Sequence, residues 1–222
     1  MSAPHFGVRR CAAFCVLACL VLPAAGCVGL ISQILYAVHG GDKADAEFSG
    51  LKGKKVAVVC VAANSSTGPS SIAGQLERSV ALTLTQKGDK IDVMHQDKIA
   101  DWVDRNDWNQ VDYREIGRGI NADMVLAIDL EGVRLHEGRT LYKGRASVRV
   151  TVYDMSEDGK VVFLRDLPDF AFPKNGARPS TEMSEGRFQR LFIEVLAAQV
   201  ARYFYSYQVQ EAFANDALLL DG

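Results

Sequence analysis

The amino-acid sequence predicts an α/β fold, an α+β sandwich in which a mixed sheet of about five strands carries helices packed mainly on one face. A short apolar, β-branched run followed by an amphipathic helix and a second strand is typical of a β-α-β unit. A later strand that alternates apolar and polar residues, followed by a hairpin loop, adds antiparallel strands. Together these patterns predict the order β-α-β-α-α-β-β-β-α in a single domain covering residues 54–208.

The first predicted strand is the apolar run from Lys55 to Ala62. A helix is expected from about Ser71 to Lys87, because Ser70 or Ser71 can cap its start and Gly88 stops it. Its inward residues recur at every fourth position, at Ile72, Leu76, Val80 and Leu84. Residues 91–94 complete the unit as a second, short strand.

The middle of the chain is predicted to contain two helices with a weaker sequence pattern, at residues 96–105 and 112–120. A third strand is predicted to begin at Met124. The fourth strand shows the clearest alternation. Ala146, Val148, Val150 and Val152 face one side, and Arg145, Ser147, Arg149, Thr151 and Tyr153 face the other. We expect this strand to pair antiparallel with a fifth, at residues 160–164, and to turn one polar side to solvent.

The C-terminal part is predicted to contain an irregular loop, a long helix and a tail. Residues 168–179 carry three of the six prolines together with Gly176, which favours a loop. The helix is expected from about Thr181 to Gln208, because apolar residues recur there with helical spacing. Residues 209–222 are expected to form a loosely held tail.

The N-terminal residues have the layout of a bacterial export signal that ends at a lipidated cysteine. Two arginines precede an uncharged apolar stretch, and the run Val21-Leu22-Pro23-Ala24-Ala25-Gly26-Cys27 resembles the lipobox of bacterial lipoproteins. Residues 1–26 are therefore predicted to be a signal peptide that is removed, which leaves Cys27 as the lipid-bearing first residue. Position −3 is Ala24, where the lipobox pattern prefers leucine.

Two other interpretations of this end stay open. Cys19 also follows a small residue, although cleavage there would leave a shorter apolar core than a typical signal has. Residues 28–38 continue the apolar character, so an uncleaved segment 11–38 would be long enough to span a bilayer, which needs about 20 apolar residues. With cleavage, residues 27–53 are predicted to be the lipidated cysteine and a membrane-proximal, glycine-rich linker.

Cysteine usage and charge limit the classes of function. Four of the five cysteines lie at or before Cys27, so only Cys60 remains, and its apolar neighbours favour burial as a small hydrophobic residue. Loss of Arg9 and Arg10 with the signal changes 25 basic and 27 acidic residues to 23 and 27, a formal net charge of −4. There is no basic block that would favour nucleic acid. The histidines after the signal lack metal-ligand spacing, so neither metal nor cofactor is predicted.

The best candidate site is an acidic and aromatic group on the second predicted helix. Asp101, Trp102 and Asp104, with Trp108 beyond them, form a candidate partner surface, because exposed tryptophans often anchor protein interfaces. Paired carboxylates beside aromatic rings also suit a small envelope hydrolase or sugar-binding protein. A solvated acidic helix face with a partly buried tryptophan accounts for the same residues without a function.

A second candidate is the loop between the first strand and the first helix. Its small and hydroxyl-bearing residues precede a helix N-terminus, whose free amides favour anions. These candidate anion-loop residues are Ser65, Ser66, Thr67, Gly68 and Ser70. The loop lacks the lysine of a P-loop, and hydroxyl capping of the helix explains it equally.

Several of these features together resemble an α/β domain that recurs in envelope lipoproteins. They are the lipobox, the strand Lys55-Val56-Ala57-Val58-Val59, the helix ending in Lys87-Gly88, and the segment Gly119-Ile120-Asn121-Ala122-Asp123-Met124 that leads into an apolar run ending at Asp129. The combination is similar to the curli-secretion-channel lipoproteins, the penicillin-binding-protein activator lipoproteins and the TolB amino-terminal domain, over residues 54–208. No functional residue of those families can be placed on this chain.

The resemblance implies a non-enzymatic, lipid-anchored accessory protein that binds other envelope proteins in envelope assembly or transport. Such a domain would face the periplasm. Val28 stands where an aspartate would follow the cysteine, which implies the outer membrane by the better-known sorting rule. The sequence contains no G-x-S-x-G or G-x-G-x-x-G motif, so no enzymatic activity is predicted.

Overall fold

The computed structural model describes residues 43–62, 71–106 and 112–210. The described residues 44–62, 71–106 and 112–207 belong to one compact unit, and residues 43 and 208–210 belong to a second. The predicted signal peptide and Cys27 lie outside the described residues. No helix in the described part of the chain is long and apolar enough to cross a membrane.

The described residues form eight strands and four α-helices. The strands are β1 (Lys43–Ala44), β2 (Lys55–Ala62), β3 (Asp92–Val93), β4 (Met124–Glu137), β5 (Leu141–Asp154), β6 (Lys160–Phe172), β7 (Arg178–Pro179) and β8 (Tyr207–Gln208). The helices are α1 (Ile72–Lys87), α2 (Gln96–Arg105), α3 (Tyr113–Gly119) and α4 (Glu185–Ala201). From β2 to α4, apart from the two-residue β7, this is the predicted order, and the α/β class is confirmed.

A mixed sheet has the strand order β3-β2-β4-β5-β6, and β7 pairs with the start of β5. Strand β2 runs parallel to both β3 and β4, so these three strands form a parallel half. Strands β5 and β6 form an antiparallel half, joined to β4 by an antiparallel ladder. The predicted pairing of the fourth and fifth strands is confirmed. Strands β1 and β8 form a separate two-stranded sheet.

Helices cover both faces of the parallel half. The long helices α1 and α4 pack on one face, where Leu76 and Phe188 share a core cluster with Val58. The short helices α2 and α3 pack on the other face, where Ile99 and Ile116 share a second cluster with alternate residues of β2 and β4. The predicted α+β sandwich is confirmed, with the two long helices on one face and the two short helices on the opposite face.

Capping residues explain where the helices begin. The Ser71 side chain accepts the N–H of Gly74 at 3.1 Å, so the predicted cap of α1 is confirmed at Ser71. Asp112 accepts from the first-turn amides of α3, and Ser184 caps α4. Helix α1 ends where Gly88 donates to the carbonyl of Leu84 at 2.8 Å. Each cap satisfies amides that would otherwise lack partners.

Two predicted boundaries in the C-terminal part are wrong. Strand β6 continues to Phe172, so Pro168 lies within a strand, at a point where the register against β5 is irregular and proline removes no ladder bond. Helix α4 spans Glu185–Ala201 instead of residues 181–208, because the chain tightens into a 3₁₀ turn at Arg202–Phe204 that turns aromatic side chains into the core.

The residues just before β2 are packed rather than free. Leu51 is fully buried, and the Phe48 ring lies 5.4 Å from the Phe163 ring. Glu47 forms an ion pair with Arg165 of β6. The predicted boundary near Lys54 placed these residues in the linker, but the packed domain includes Phe48 and Leu51. The remaining domain boundaries stay predictions.

Candidate functional site

A row of polar side chains crosses three adjacent strands on the sheet face that α2 and α3 partly cover. Asp129 of β4 lies directly opposite Arg149 of β5, which lies opposite Asp166 of β6. The Arg149 Nε donates to Asp166 Oδ1 at 2.7 Å, so its guanidinium is held on the β6 side. This carboxylate raises the pKa of Arg149. Both side chains are exposed, so the pair contributes little to stability.

Tyr113, the first residue of α3, closes the inner end of this row. Its hydroxyl donates to Asp129 Oδ1 at 2.5 Å, and its ring stacks on Tyr153 with centroids 5.8 Å apart. The Arg114 guanidinium lies over the same Tyr153 ring at 5.3 Å. Burial, followed by the hydrogen bond to Asp129, raises the pKa of Tyr113. Tyr113 is therefore a neutral hydrogen-bond donor, not a proton acceptor.

On the opposite face, Glu77 of α1 reaches the outer edge of β2. Its Oε2 accepts the backbone N–H of Cys60 at 3.0 Å. Strand β3 pairs with β2 only at Lys55 and Val56, so the glutamate supplies the acceptor that a longer neighbouring strand would supply. Burial raises the pKa of Glu77 to about 7, against smaller lowering by the Cys60 N–H and by Arg78.

The thiol of Cys60 is not activated. Cys60 is 9% exposed, so the predicted burial is confirmed. Burial first, and then the negative charges of Glu77 and Asp129, raise the pKa of the thiol. A reactive cysteine needs a lowered pKa and a positive neighbourhood, and this site offers the opposite.

The described residues contain no group of three histidine, cysteine or acidic side chains placed to hold a metal ion. A pocket of about 270 Å³ lies in the segment after β6, lined by Pro173, Asn175, Ala177, Arg178, Pro179 and Glu182. None of the predicted site residues lines this pocket. Among the described residues, the fold thus offers polar side chains that bond to one another and surfaces that are exposed.

Helix α2 separates the members of the predicted partner surface. Asp101 and Asp104 are exposed, and Asp101 lies 3.7 Å from Arg105. Trp102 is half-buried and packs so closely on Gly119 that an added Cβ there would lie 1.9 Å from the indole nitrogen. The tryptophan thus packs beneath an exposed acidic helix face, and the sugar-binding alternative stays a prediction. The partner surface stays a prediction.

Trp108 and the candidate anion loop lie outside the described residues. The loop residues in question are Ser65, Ser66, Thr67, Gly68 and Ser70. The lipidation site Cys27 also lies outside them. All of these assignments stay predictions.

Sequence reasoning missed the polar groups that the fold brings together. Glu77 follows the buried Ala73 by four residues and precedes the buried Val80 by three, which places it on the inward stripe of α1. Asp129 interrupts an apolar run, which is a second local signal. The positions of Arg149 and Asp166 beside it depend on strand register, for which a single sequence holds no signal.

No protein-family model matches the chain, and no curated protein matches it. Similar solved structures include the PelC dodecamer from Paraburkholderia phytofirmans, with 18% identity and a TM-score of 0.43 over 74% of this chain and 96% of that one. Lipoprotein GNA1162 from Neisseria meningitidis is 16% identical, with a TM-score of 0.43 over 66% and 98% of the two chains. The LpoB C-terminal domain from Salmonella enterica is 14% identical, with a TM-score of 0.37 over 64% and 92%.

Proposed function

We propose that this chain is a lipid-anchored protein of the cell envelope whose domain binds another envelope protein. It acts as a non-enzymatic accessory in envelope assembly or transport. The observation that carries the proposal is the export signal that ends at Cys27. A lipid on Cys27 tethers the domain to a membrane on its periplasmic side, and Val28 favours the outer membrane.

The buried polar groups are engaged in hydrogen bonds within the domain. Tyr113 and Asp129 bond to each other, and Glu77 bonds to the backbone of Cys60. The raised pKa of the Cys60 thiol keeps it protonated at neutral pH. These groups therefore stabilise the fold.

The antiparallel half offers a surface for a protein partner. Val161 and Leu164 of β6 are 41% and 51% exposed, and they lie opposite Tyr153 and Thr151 on the sheet face that α2 and α3 cover elsewhere. No residue of β6 belongs to the core that α2 and α3 form. Neighbouring apolar side chains left uncovered are typical of interaction sites.

The tether is tested by mass spectrometry of the mature N-terminus, with the wild-type chain beside Cys27→Ser. We expect a lipid-modified Cys27 in the wild type and loss of that species in the variant. An intact Met1 would show that the segment is retained as an anchor.

Partner binding is tested by capture from detergent-solubilised envelope. We expect the wild-type protein to retain a specific protein that the double variant Val161→Ser, Leu164→Ser loses. The control is Leu82→Ser, which alters a leucine that is 57% exposed on α1. Equal capture by all three proteins, or no specific capture, would contradict the proposed surface.

A further inference from the structure

We propose that the distal part of the β4–β5 hairpin, residues 132–145, docks on an anionic phospholipid surface. This basic hairpin contains four cationic side chains and one carboxylate, Glu137. The cations are Arg134, Arg139, Lys143 and Arg145. The segment carries a formal charge of +3, although the whole chain carries −2. Positive charge is therefore concentrated at one place in an otherwise acidic protein.

The basic hairpin projects beyond the parallel strands. Strand β2 pairs with β4 only as far as Leu130, whereas the β4–β5 ladder continues to Glu137 opposite Leu141. One face of the hairpin turns Leu135 and Tyr142 into the core under α4. The other face carries Arg134 and Arg145, Arg139 lies in the turn, and the Lys143 side chain is only 15% exposed. No residue of 132–145 belongs to the core formed by α2 and α3. A flat partner can therefore approach this face.

The charges of the basic hairpin are not balanced within the described residues. Arg134 and Arg145 lie directly opposite each other in the ladder, an arrangement that destabilises a sheet unless an anion intervenes. Glu137 lies 3.4 Å from Arg145 and 3.9 Å from Lys143. No described carboxylate lies within 4.0 Å of Arg134 or Arg139, and both are exposed. Exposed guanidinium groups that lack a carboxylate partner can donate paired hydrogen bonds to the oxygens of a phosphate group.

The exposed Leu141 favours a lipid bilayer over a dissolved anion as the source of the phosphate group. Leu141 is 37% exposed at the start of β5, between Arg139 and Lys143. A cationic surface with an apolar side chain at its centre suits the boundary between head groups and acyl chains. A dissolved anion would use the cations but would leave the leucine in water.

The segment before β2 packs against β6. Phe48 contacts Phe163, and Glu47 before it pairs with Arg165. Phe172 pairs with Gly144 of the basic hairpin. Residues 28–42 would span at most about 50 Å when extended, so a lipid on Cys27 and the hairpin can meet one bilayer. The inference rests on the tether proposed above.

The test uses the mature protein, purified from membranes and reconstituted in vesicles, with a fluorophore on Leu141→Cys and a quencher on lipid head groups. The vesicles are phosphatidylcholine alone or phosphatidylcholine with phosphatidylglycerol. We expect strong quenching with phosphatidylglycerol and weak quenching without it. A probe on Leu82→Cys, on α1, should be quenched weakly in both. Cys60 is buried and does not compete for the label.

The double variant Arg134→Gln, Arg139→Gln should lower the ratio of docked to undocked protein about 30-fold, because each cation contributes to attraction by an anionic leaflet. The matched control, Arg78→Gln with Arg190→Gln, removes the same charge from exposed positions on α1 and α4. It should leave quenching unchanged.

Equal quenching at positions 82 and 141, or equal quenching in the two kinds of vesicle, would overturn the proposal. So would protection of the Leu141 probe by inorganic phosphate at matched ionic strength with neutral vesicles, because the site would then hold a dissolved anion. Mass spectrometry of the N-terminus reports failure of the tether separately. Partner capture depends on Val161 and Leu164, so it is judged independently.

Discussion

The parallel and antiparallel halves of the sheet bury their faces to different extents. The parallel half has helices on both faces, and Val56, Ala57 and Val125 have no exposed surface. The antiparallel half is covered on one side, while Leu164 and Arg149 remain exposed on the other. Antiparallel sheets tolerate such one-sided burial, whereas parallel strands need cover on both faces. Most of the buried apolar residues therefore lie under the helices, and the uncovered strands leave side chains exposed.

The largest expected effect on stability comes from a substitution in the core beneath α4. Phe188 is fully buried and stacks on Tyr142 at 5.1 Å and on Phe172 at 6.1 Å. Phe188→Ala should lower the free energy of unfolding by about 3–5 kcal/mol, because it removes buried apolar area and leaves a cavity. Urea denaturation measures the change. The control Leu82→Ala should change the free energy of unfolding by about 0.5 kcal/mol or less. A similar loss for both variants would show that stability does not depend on burial beneath the helices.

A smaller effect should appear at Glu77, whose pKa is about 7 when folded and 4.5 as an ordinary glutamate. Because the folded state favours the protonated carboxyl group, its stabilising contribution is complete below pH 4.5 and is lost as the pH rises through 7. Glu77→Gln keeps an oxygen that accepts the Cys60 N–H but does not titrate. Between pH 5 and 8, the wild type should lose about 2 kcal/mol more unfolding free energy than the variant.

The control for this measurement is Glu194→Gln, which alters an exposed glutamate of α4. Its pH profile should follow that of the wild type. If the profiles of wild type and Glu77→Gln run parallel, the buried contact with Cys60 does not control the pH dependence.

The smallest effect should come from the uncovered face. Asp166→Asn weakens the pair with Arg149, and both side chains are about half exposed. The expected change in unfolding free energy is below about 1 kcal/mol, and a double-mutant cycle with Arg149→Gln measures the pairwise coupling. A cost above about 2 kcal/mol would mean that this face is needed for folding.

Local patterns predicted the element order because alternation along β5 and the four-residue spacing in α1 are visible in the sequence itself. The end of α4 could not be predicted in the same way. Tyr203 and Phe204 continue the apolar spacing of the helix, but their contacts with Phe163 draw the chain into a tighter turn. Tertiary packing decided that boundary.

The candidate site could likewise be predicted only in part. Burial of Cys60 could be predicted from its apolar neighbours, whereas the row of Asp129, Arg149 and Asp166 depends on the register of three strands. Phe48 and Leu51 were assigned to a linker because they stand singly among glycines and polar residues. Phe48 packs on Phe163, more than a hundred residues later, and composition does not reveal such a contact.

Strand β6 lies at an edge of the sheet, where its backbone can pair with another strand. An open strand edge would invite neighbouring copies to join their sheets. Pro168 lacks an amide hydrogen, Asp169 adopts a φ of 50°, and register shifts interrupt the ladder near Val148 and Val152. These features leave only a short regular edge along β6. The irregular edge therefore offers few consecutive backbone groups to a second sheet.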